Sequence, residues 1–226
     1  MNILTPERLD KNQDQKAAEF AAERIRQKIL DGFLSPGQRL IEAELMTELD
    51  LGRSTIREAY LKLDSEGFVE LRHQRGAVVK KMTRRDMAEL FAIRERLEAM
   101  AAGLAAANID KGDNRQRLER MKEVWAQDDV LNNELTHMEK NVPFHEAIIT
   151  MGNNLRLARM LKPLQIPGYR IQYLKLLDRP FRELSAQEHT AIADAILAGN
   201  SDLAERLMRQ HVQRSGELAQ NIPGLD

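Results

Sequence analysis

Apolar residues recur every three or four positions through most of the chain, which is the spacing of one face of an α-helix. In the N-terminal part this pattern predicts helices near 16–31, around 41–49 and from Arg53 to Gly67. Only the turn Asp50-Leu51-Gly52 separates the second helix from the third. Two short helices joined by a tight turn are typical of a helix-turn-helix.

Two segments after Gly67 have the composition of β-strands instead. They are residues 68–72 and 77–80, and the turn between them contains His73 and Gly76. This pair predicts a β-hairpin wing. The N-terminal part is therefore predicted to be a winged helix-turn-helix of three helices plus a β-hairpin.

From Arg85 onward only the helical pattern remains, and it predicts helices near 85–107, 113–130, 134–150, 153–165, 170–178, 186–199 and 202–220. We expect these helices to form an antiparallel all-α bundle. The fold is thus predicted to be mainly α. It is predicted to have an N-terminal arm at 1–16, the winged helix-turn-helix at 17–82 and the all-helical domain at 83–222.

Composition places the chain among globular proteins, with 42% apolar and 31% charged residues and no cysteine in 226 residues. No apolar run is long enough to cross a bilayer and no signal peptide is present, so we expect a cytoplasmic protein without a membrane partner. The net charge of −1 hides an asymmetry. Residues 51–85 hold nine lysine or arginine residues against four acids, which gives +5 there and −6 elsewhere. A basic segment of this kind indicates contact with phosphate.

The exposed face of the third helix carries the groups expected of a DNA-reading helix. Arg53 and Arg57 are four residues apart at its start, where an arginine can bond guanine with two donors. Ser54 and Thr55 suit phosphate contacts, and Gly76 permits close backbone approach from the wing. Each feature alone fits a solvated helix face beside an ordinary hairpin, whereas together they favour DNA binding.

These residues resemble the GntR-type winged-helix regulators, in the segments 29–32, 36–40, 53–59 and 63–69. The resemblance implies that a homodimer binds a near-palindromic double-stranded DNA operator. It implies operator contacts from Arg53, Ser54, Thr55 and Arg57 in the helix and from His73 and Gly76 in the wing. The chain departs from the family at Gly52, where Ser or Thr is usual, and at Thr55, where Pro is common.

Three histidines of the second domain, His145, His189 and His211, each lie on the apolar face of a predicted helix. A single histidine in such a place is most often a hydrogen-bonded core residue. Three on three helices of one small domain predict a metal site, because facing helices can direct imidazole nitrogens at one ion.

The same region resembles the FCD-type effector domain of the FadR branch, in the segments 141–145, 188–189 and 209–211. The resemblance implies a divalent metal, zinc or nickel, held by the three histidines and by an acid four residues before the first of them. This chain has Asn141 there. Because Pro143 follows, Asn141 is equally well interpreted as the N-cap of a helix that starts at that point.

Arg94 interrupts the apolar face of the first helix of this domain. The resemblance implies that it binds a small carboxylate effector, and the alternative is an internal salt bridge to Glu98. The sequence therefore predicts a transcription regulator, most simply a repressor, whose operator affinity responds to a carboxylate metabolite bound near a metal. Two alternatives remain open: a metal-dependent hydrolase with a three-histidine site, and a DNA-binding protein whose metal is purely structural.

Overall fold

The first unit of the protein is a helix-turn-helix with a small antiparallel sheet. The computed structural model describes residues 6–72, 76–164, 173–174, 176–222 and 225, and the chain divides into two units between Lys81 and Met82. The first unit contains α1 (Pro6–Leu30), β1 (Arg39–Leu40), α2 (Glu42–Leu49), α3 (Arg53–Ser65), β2 (Val69–Arg72) and β3 (Gly76–Val79).

The core of this unit lies between the helices and the sheet. Ile25, Ile56, Tyr60 and Leu63 are among its fully buried side chains. The strands pair in the order β1-β3-β2, and Arg72 lies opposite Gly76 in the hairpin. The predicted helix-turn-helix and hairpin are confirmed.

Two elements of the first unit differ from the prediction. α1 begins at Pro6 and not near 16, so the described part of the predicted arm is helical. Residues 6–16 have no apolar stripe, but they are mostly strong helix formers behind a proline, which is favourable at the first helical position. β1 was not predicted, because a strand of two residues is too short to show a periodic pattern.

The second unit is all-helical, as predicted. It contains α4 (Arg84–Ala107), α5 (Asn114–Glu123), α6 (Asp128–Asn132), α7 (Glu134–Met151), α8 (Leu155–Leu161), α9 (Arg179–Leu197) and α10 (Ser201–Ala219), with 3₁₀ turns at Val124–Ala126 and Lys162–Leu164. Among the described residues, no helix combines the length and the apolarity that a bilayer-spanning segment needs.

Two glycines allow α4 and α10 to pack closely. A Cβ atom on Gly216 of α10 would lie 2.7 Å from Cβ of Phe91, and one on Gly103 of α4 would lie 2.6 Å from Cγ of Glu205. Any larger residue would force a shift at these points. This central pair of helices carries Glu98 and His211 into the interior of the unit.

Residues at the helix starts explain where two helices depart from the prediction. The expected helix at 113–130 is divided into α5, a 3₁₀ turn and α6, because Asp128 and Asp129 favour a new helix start. α9 begins at Arg179 and not near 186, since Asp178 accepts a hydrogen bond from the backbone N–H of Phe181 and Pro180 stands in the first turn. Of the expected helix at 170–178, residues 170–172 and 175 lie outside the described residues; Tyr173 and Leu174 are helical, and residues 176–178 are not.

Candidate functional site

The start of α3 presents its polar residues to solvent. α3 begins at Arg53, directly after Gly52, whose position as N-cap provides no side-chain hydrogen bond. Ile56 and Tyr60 are buried, whereas Arg53 and Arg57 beside them have 67% and 62% of their side chains exposed. Ser54 is exposed and Thr55 is half-buried in the same turn.

One acid lies beside these arginines. Oε1 of Glu42, the first residue of α2, accepts a hydrogen bond from Nε of Arg57 at 2.9 Å. Oε2 of Glu42 lies 3.7 Å from Nε of Arg53. The sequence analysis did not identify Glu42, because nothing in the spacing of α2 and α3 indicates which side chains meet across the turn.

The wing is described on both sides of its tip. Gly76 has a φ of 73°, a left-handed conformation that glycine adopts without strain, and it pairs with Arg72 across the hairpin. Arg72 is exposed and forms an ion pair with Glu70 at 3.1 Å. His73, which the resemblance assigned to operator contact, lies outside the described residues.

In the second unit, His145 of α7, His189 of α9 and His211 of α10 lie together in the interior. All three are buried, and one ring nitrogen from each lies within 4.8 Å of the others. Nε2 of His145 and Nε2 of His189 are 3.4 Å apart. The three residues that the sequence analysis selected therefore form one cluster that could bind a metal ion.

Two glutamates orient His145 and His211. Nδ1 of His145 donates to Oε2 of Glu98 at 2.6 Å, and Nδ1 of His211 donates to Oε2 of Glu188 at 2.8 Å. With Nδ1 protonated in both rings, Nε2 of each keeps its lone pair for a metal. Metal-binding histidines in proteins commonly make such a bond to a carboxylate.

Each of these glutamates also pairs with an arginine. Nε of Arg94 donates to Oε1 of Glu98 at 2.8 Å, and Arg214 forms an ion pair with Glu188. The internal salt bridge that the sequence analysis weighed for Arg94 is therefore present. The result is two similar series of contacts, Arg94 to Glu98 to His145 and Arg214 to Glu188 to His211, which reach the cluster from different helices.

Burial keeps the imidazoles of His189 and His211 neutral. Desolvation, together with the nearby His145 and Arg94, lowers the pKa of His211 to about 3, and desolvation also lowers the pKa of His189 well below its usual value. Burial alone would raise the pKa of Glu98, but Arg94 and His145 outweigh it and lower that pKa to about 2. At neutral pH His189 and His211 are therefore neutral and Glu98 is ionised, the protonation states that suit metal binding.

His189 differs from the other two histidines in the surroundings of its Nδ1 atom. Nδ1 of His189 is buried and has no hydrogen-bond partner among the residues that the structure describes. A buried polar atom without a partner is costly. Nε2 of the same ring, which lies 3.4 Å from Nε2 of His145, is the atom that could face a metal ion. The donor set and its burial fit a metal ion that takes imidazole ligands.

Asn141 is not a helix cap. α7 starts at Glu134, where the side chain of Asn133 accepts the backbone N–H of Thr136 at 3.0 Å, and it continues through Pro143 to Met151. The N-cap interpretation of Asn141 is therefore wrong. The residue lies one helical turn before His145 on the same face of α7, as a fourth ligand would.

Two further buried residues surround the cluster. The ring of Trp125 lies 4.0 Å from that of His189 between centroids, tilted by 30°. His137 is buried, and its Nε2 lies 3.2 Å from Oγ of Ser185. Sequence reasoning placed neither residue at the cluster. No helical spacing relates Trp125 to the three histidines, and His137 was not selected although it lies two helical turns before His145 in α7.

Comparison with known proteins finds a family model for each of the two units. Residues 17–79 match the model for bacterial regulatory proteins of the gntR family, and residues 89–214 match the FCD domain. The chain belongs to the GntR family and carries an FCD domain. It is a transcription regulator whose helix-turn-helix implies DNA binding.

Its relatives are transcription regulators and not enzymes, so the hydrolase alternative is dropped. A "Probable D-xylose utilization operon transcriptional repressor" from Paenarthrobacter nicotinovorans is 30% identical over 82% of this chain and 80% of its own length. The HTH-type transcriptional repressor RspR of Escherichia coli K12 is 24% identical over 88% and 86%.

Solved structures share the fold. A GntR regulator from Rhodococcus sp. RHA1 is 24% identical, covers 89% of this chain and 96% of its own, and superposes with a TM-score of 0.71. E. coli McbR/YncC is 21% identical, covers 90% and 96%, and superposes with a TM-score of 0.70.

Proposed function

We propose that this regulator is a cytoplasmic repressor whose affinity for a near-palindromic operator is controlled by a small carboxylate metabolite bound beside a divalent metal. The observation that carries the proposal is the buried cluster of His145, His189 and His211, with its two orienting glutamates. Named repressors among the relatives support the direction of regulation. In this proposal residues 17–82 bind DNA, and residues 83–222 sense the ligand and form a homodimer.

The metal would be held by the three histidines, with the amide oxygen of Asn141 as a fourth ligand. When bound, the ion supplies a positive charge that can bind a carboxylate oxygen. All four of these ligands are neutral. The two nearby carboxylates are each paired with an arginine, so an anionic metabolite is the partner that balances the charge of the ion.

Arg94 provides a second contact for such a metabolite. A carboxylate that bonds Arg94 would compete with Glu98, and Glu98 in turn orients His145. Binding would thereby alter the arrangement of α4 and α7. Control of DNA binding requires that the metabolite prefers one of the two states of the dimer.

On the DNA side, Arg53, Ser54, Thr55 and Arg57 face the operator from α3. His73 and Gly76 contact it from the wing. A homodimer presents two copies of this surface, so the operator should contain two related half-sites, as in other helix-turn-helix dimers.

Selection of duplexes from a random-sequence library, with and without a chelator, tests the proposal. We expect a near-palindrome to be enriched, and we expect its affinity to change when the chelator removes the metal. Retention that is salt-sensitive and independent of sequence would contradict specific operator binding.

Thermal melting with a panel of small carboxylates tests the metabolite, because a ligand of the native state raises the melting temperature. Asn141→Asp is the matched variant. The added charge should strengthen metal binding and weaken the stabilisation by carboxylates. If no carboxylate shifts the melting of the metal-loaded protein, the metal is structural and no such effector exists.

A further inference from the structure

Glu42 contacts both arginines that the proposed function assigns to base reading. It accepts a hydrogen bond from Arg57 at 2.9 Å through one oxygen, and its other oxygen lies 3.7 Å from Arg53. The three residues come from the first turn of α2 and the first turns of α3. A single carboxylate therefore links two side chains that are four residues apart on the recognition helix.

Both contacts use the Nε atom of the arginine. The terminal Nη groups of Arg53 and Arg57 make no hydrogen bond within the described parts of the chain. An arginine reads guanine with two parallel donors. When Nε is engaged by Glu42, the two Nη groups are the pair that remains for this purpose, so the contact selects one orientation of each guanidinium.

The surroundings of Glu42 favour anions. It lines a groove of about 660 Å³ together with Arg39, Arg53, Arg57 and Arg72, and among the described lining residues it is the single acid. Tyr60 lies in the same groove, and its buried hydroxyl has no hydrogen-bond partner within the described part of the chain. Its pKa is raised by burial and by the charge of Glu42. A phosphate group of DNA would be attracted to the place that this carboxylate occupies.

Phosphate contacts strengthen binding to every sequence, whereas base contacts discriminate between sequences. A carboxylate that engages the guanidinium groups opposes their contact with phosphate. It does not oppose contact with guanine, because guanine bonds the Nη groups that face away from it.

We propose that Glu42 is a positioning residue that sets sequence specificity. It orients Arg53 and Arg57 for base reading and weakens their attraction to phosphate, which raises the preference for operator over unrelated DNA. This proposal rests on the proposed function, since it takes the two arginines as base-reading residues.

The test compares Glu42→Gln with Glu44→Gln in the full-length protein. Glu44 is an exposed acid in the same first turn of α2, so the two variants lose the same charge near the same helix start. Binding is measured at several salt concentrations to a duplex selected by the wild-type protein and to a scrambled duplex of the same composition. Melting temperatures show whether each variant folds.

We expect Glu42→Gln to bind the scrambled duplex more tightly and with a steeper salt dependence, by about 0.9 in the slope for each added phosphate contact. The ratio of operator to scrambled affinity should fall about tenfold, near the discrimination of one bidentate base contact. Glu44→Gln should keep the wild-type ratio. In an Arg57→Ala background, Glu42→Gln should have a smaller effect on this ratio.

Two results would overturn the proposal in different ways. If Glu42→Gln keeps the wild-type ratio, or weakens both duplexes equally as its melting temperature falls, the contact is only a structural ion pair. If Arg53→Ala and Arg57→Ala weaken operator and scrambled duplex equally, the reading surface itself is misassigned and the role of Glu42 falls with it.

Discussion

The two units of this protein hold their functional groups in opposite ways. In the first unit Arg53 and Arg57 are mostly exposed and share one partly buried acid. In the second unit the three histidines are buried, and two of them are bonded to carboxylates that are bonded to arginines in turn. A change on the exposed surface leaves little unpaired behind it. A change in the buried network leaves a desolvated partner, which is far more costly.

The largest expected effect comes from removing the imidazole of His189. His189→Phe keeps the aromatic volume but leaves two imidazoles, too few for a stable site, so we expect the bound metal ion to be lost. His137→Phe is the matched control, since His137 is equally buried but lies outside the cluster. Metal content after dialysis is the measurement.

The same variants test whether the two units are separable. If the units are separable, affinity for a scrambled duplex depends on the first unit alone. Both variants should then bind the scrambled duplex with wild-type affinity. Metal retained in His189→Phe, or lost in His137→Phe, would show that the cluster is not the site.

The next effect concerns the glutamates. Glu188→Gln removes the charge that orients His211, and we expect metal affinity to fall by about 10- to 100-fold, as for other residues behind metal ligands. Glu183→Gln on the same helix is the control, because Glu183 pairs with the surface residue Arg179. Equal affinities of the two variants in a competition assay with a chelating dye would argue against an orienting role.

Sequence patterns predicted the elements and residues that follow from local spacing in both units, but not the contacts between residues far apart in sequence. In the first unit, α2, α3 and the hairpin follow from neighbouring residues, and the exposed arginines follow from the buried positions between them. In the second unit the apolar setting of the three histidines predicted their cluster. The role of Glu98 did not follow, because it precedes His145 by 47 residues and spacing does not show which helix faces meet.

The pH dependence of stability should separate the units further. Burial lowers the pKa of His137 to about 4 and that of His211 to about 3, whereas an unfolded histidine has a pKa of 6.5. Below pH 6.5 the unfolded chain therefore binds protons that the folded chain does not. The full stability is present above pH 6.5, and the free energy of unfolding decreases as the pH falls below that value. At pH 5 the loss is about 2 kcal/mol for each such histidine.

Hydrogen exchange of the metal-free protein at pH 7.5 and pH 5 measures this effect. We expect the second unit to lose protection while the first unit, whose described residues include no buried histidine, keeps it. His137→Phe should reduce the loss. An equal loss of protection in both units would contradict the assignment to buried histidines.

The smallest effect tests how tightly the buried network depends on helix packing. Gly216→Ala places a methyl group against Cβ of Phe91, which cannot swing away, and we expect a loss of about 1–3 kcal/mol in the free energy of unfolding. Gly103→Ala meets the side chain of Glu205, which is flexible, and alanine is the better helix former by up to about 1 kcal/mol. We therefore expect Gly103→Ala to be nearly neutral in urea unfolding. If the two variants are equally stable, α4 and α10 can separate at little cost, and the buried network to which they contribute Glu98 and His211 is held less rigidly than its burial implies.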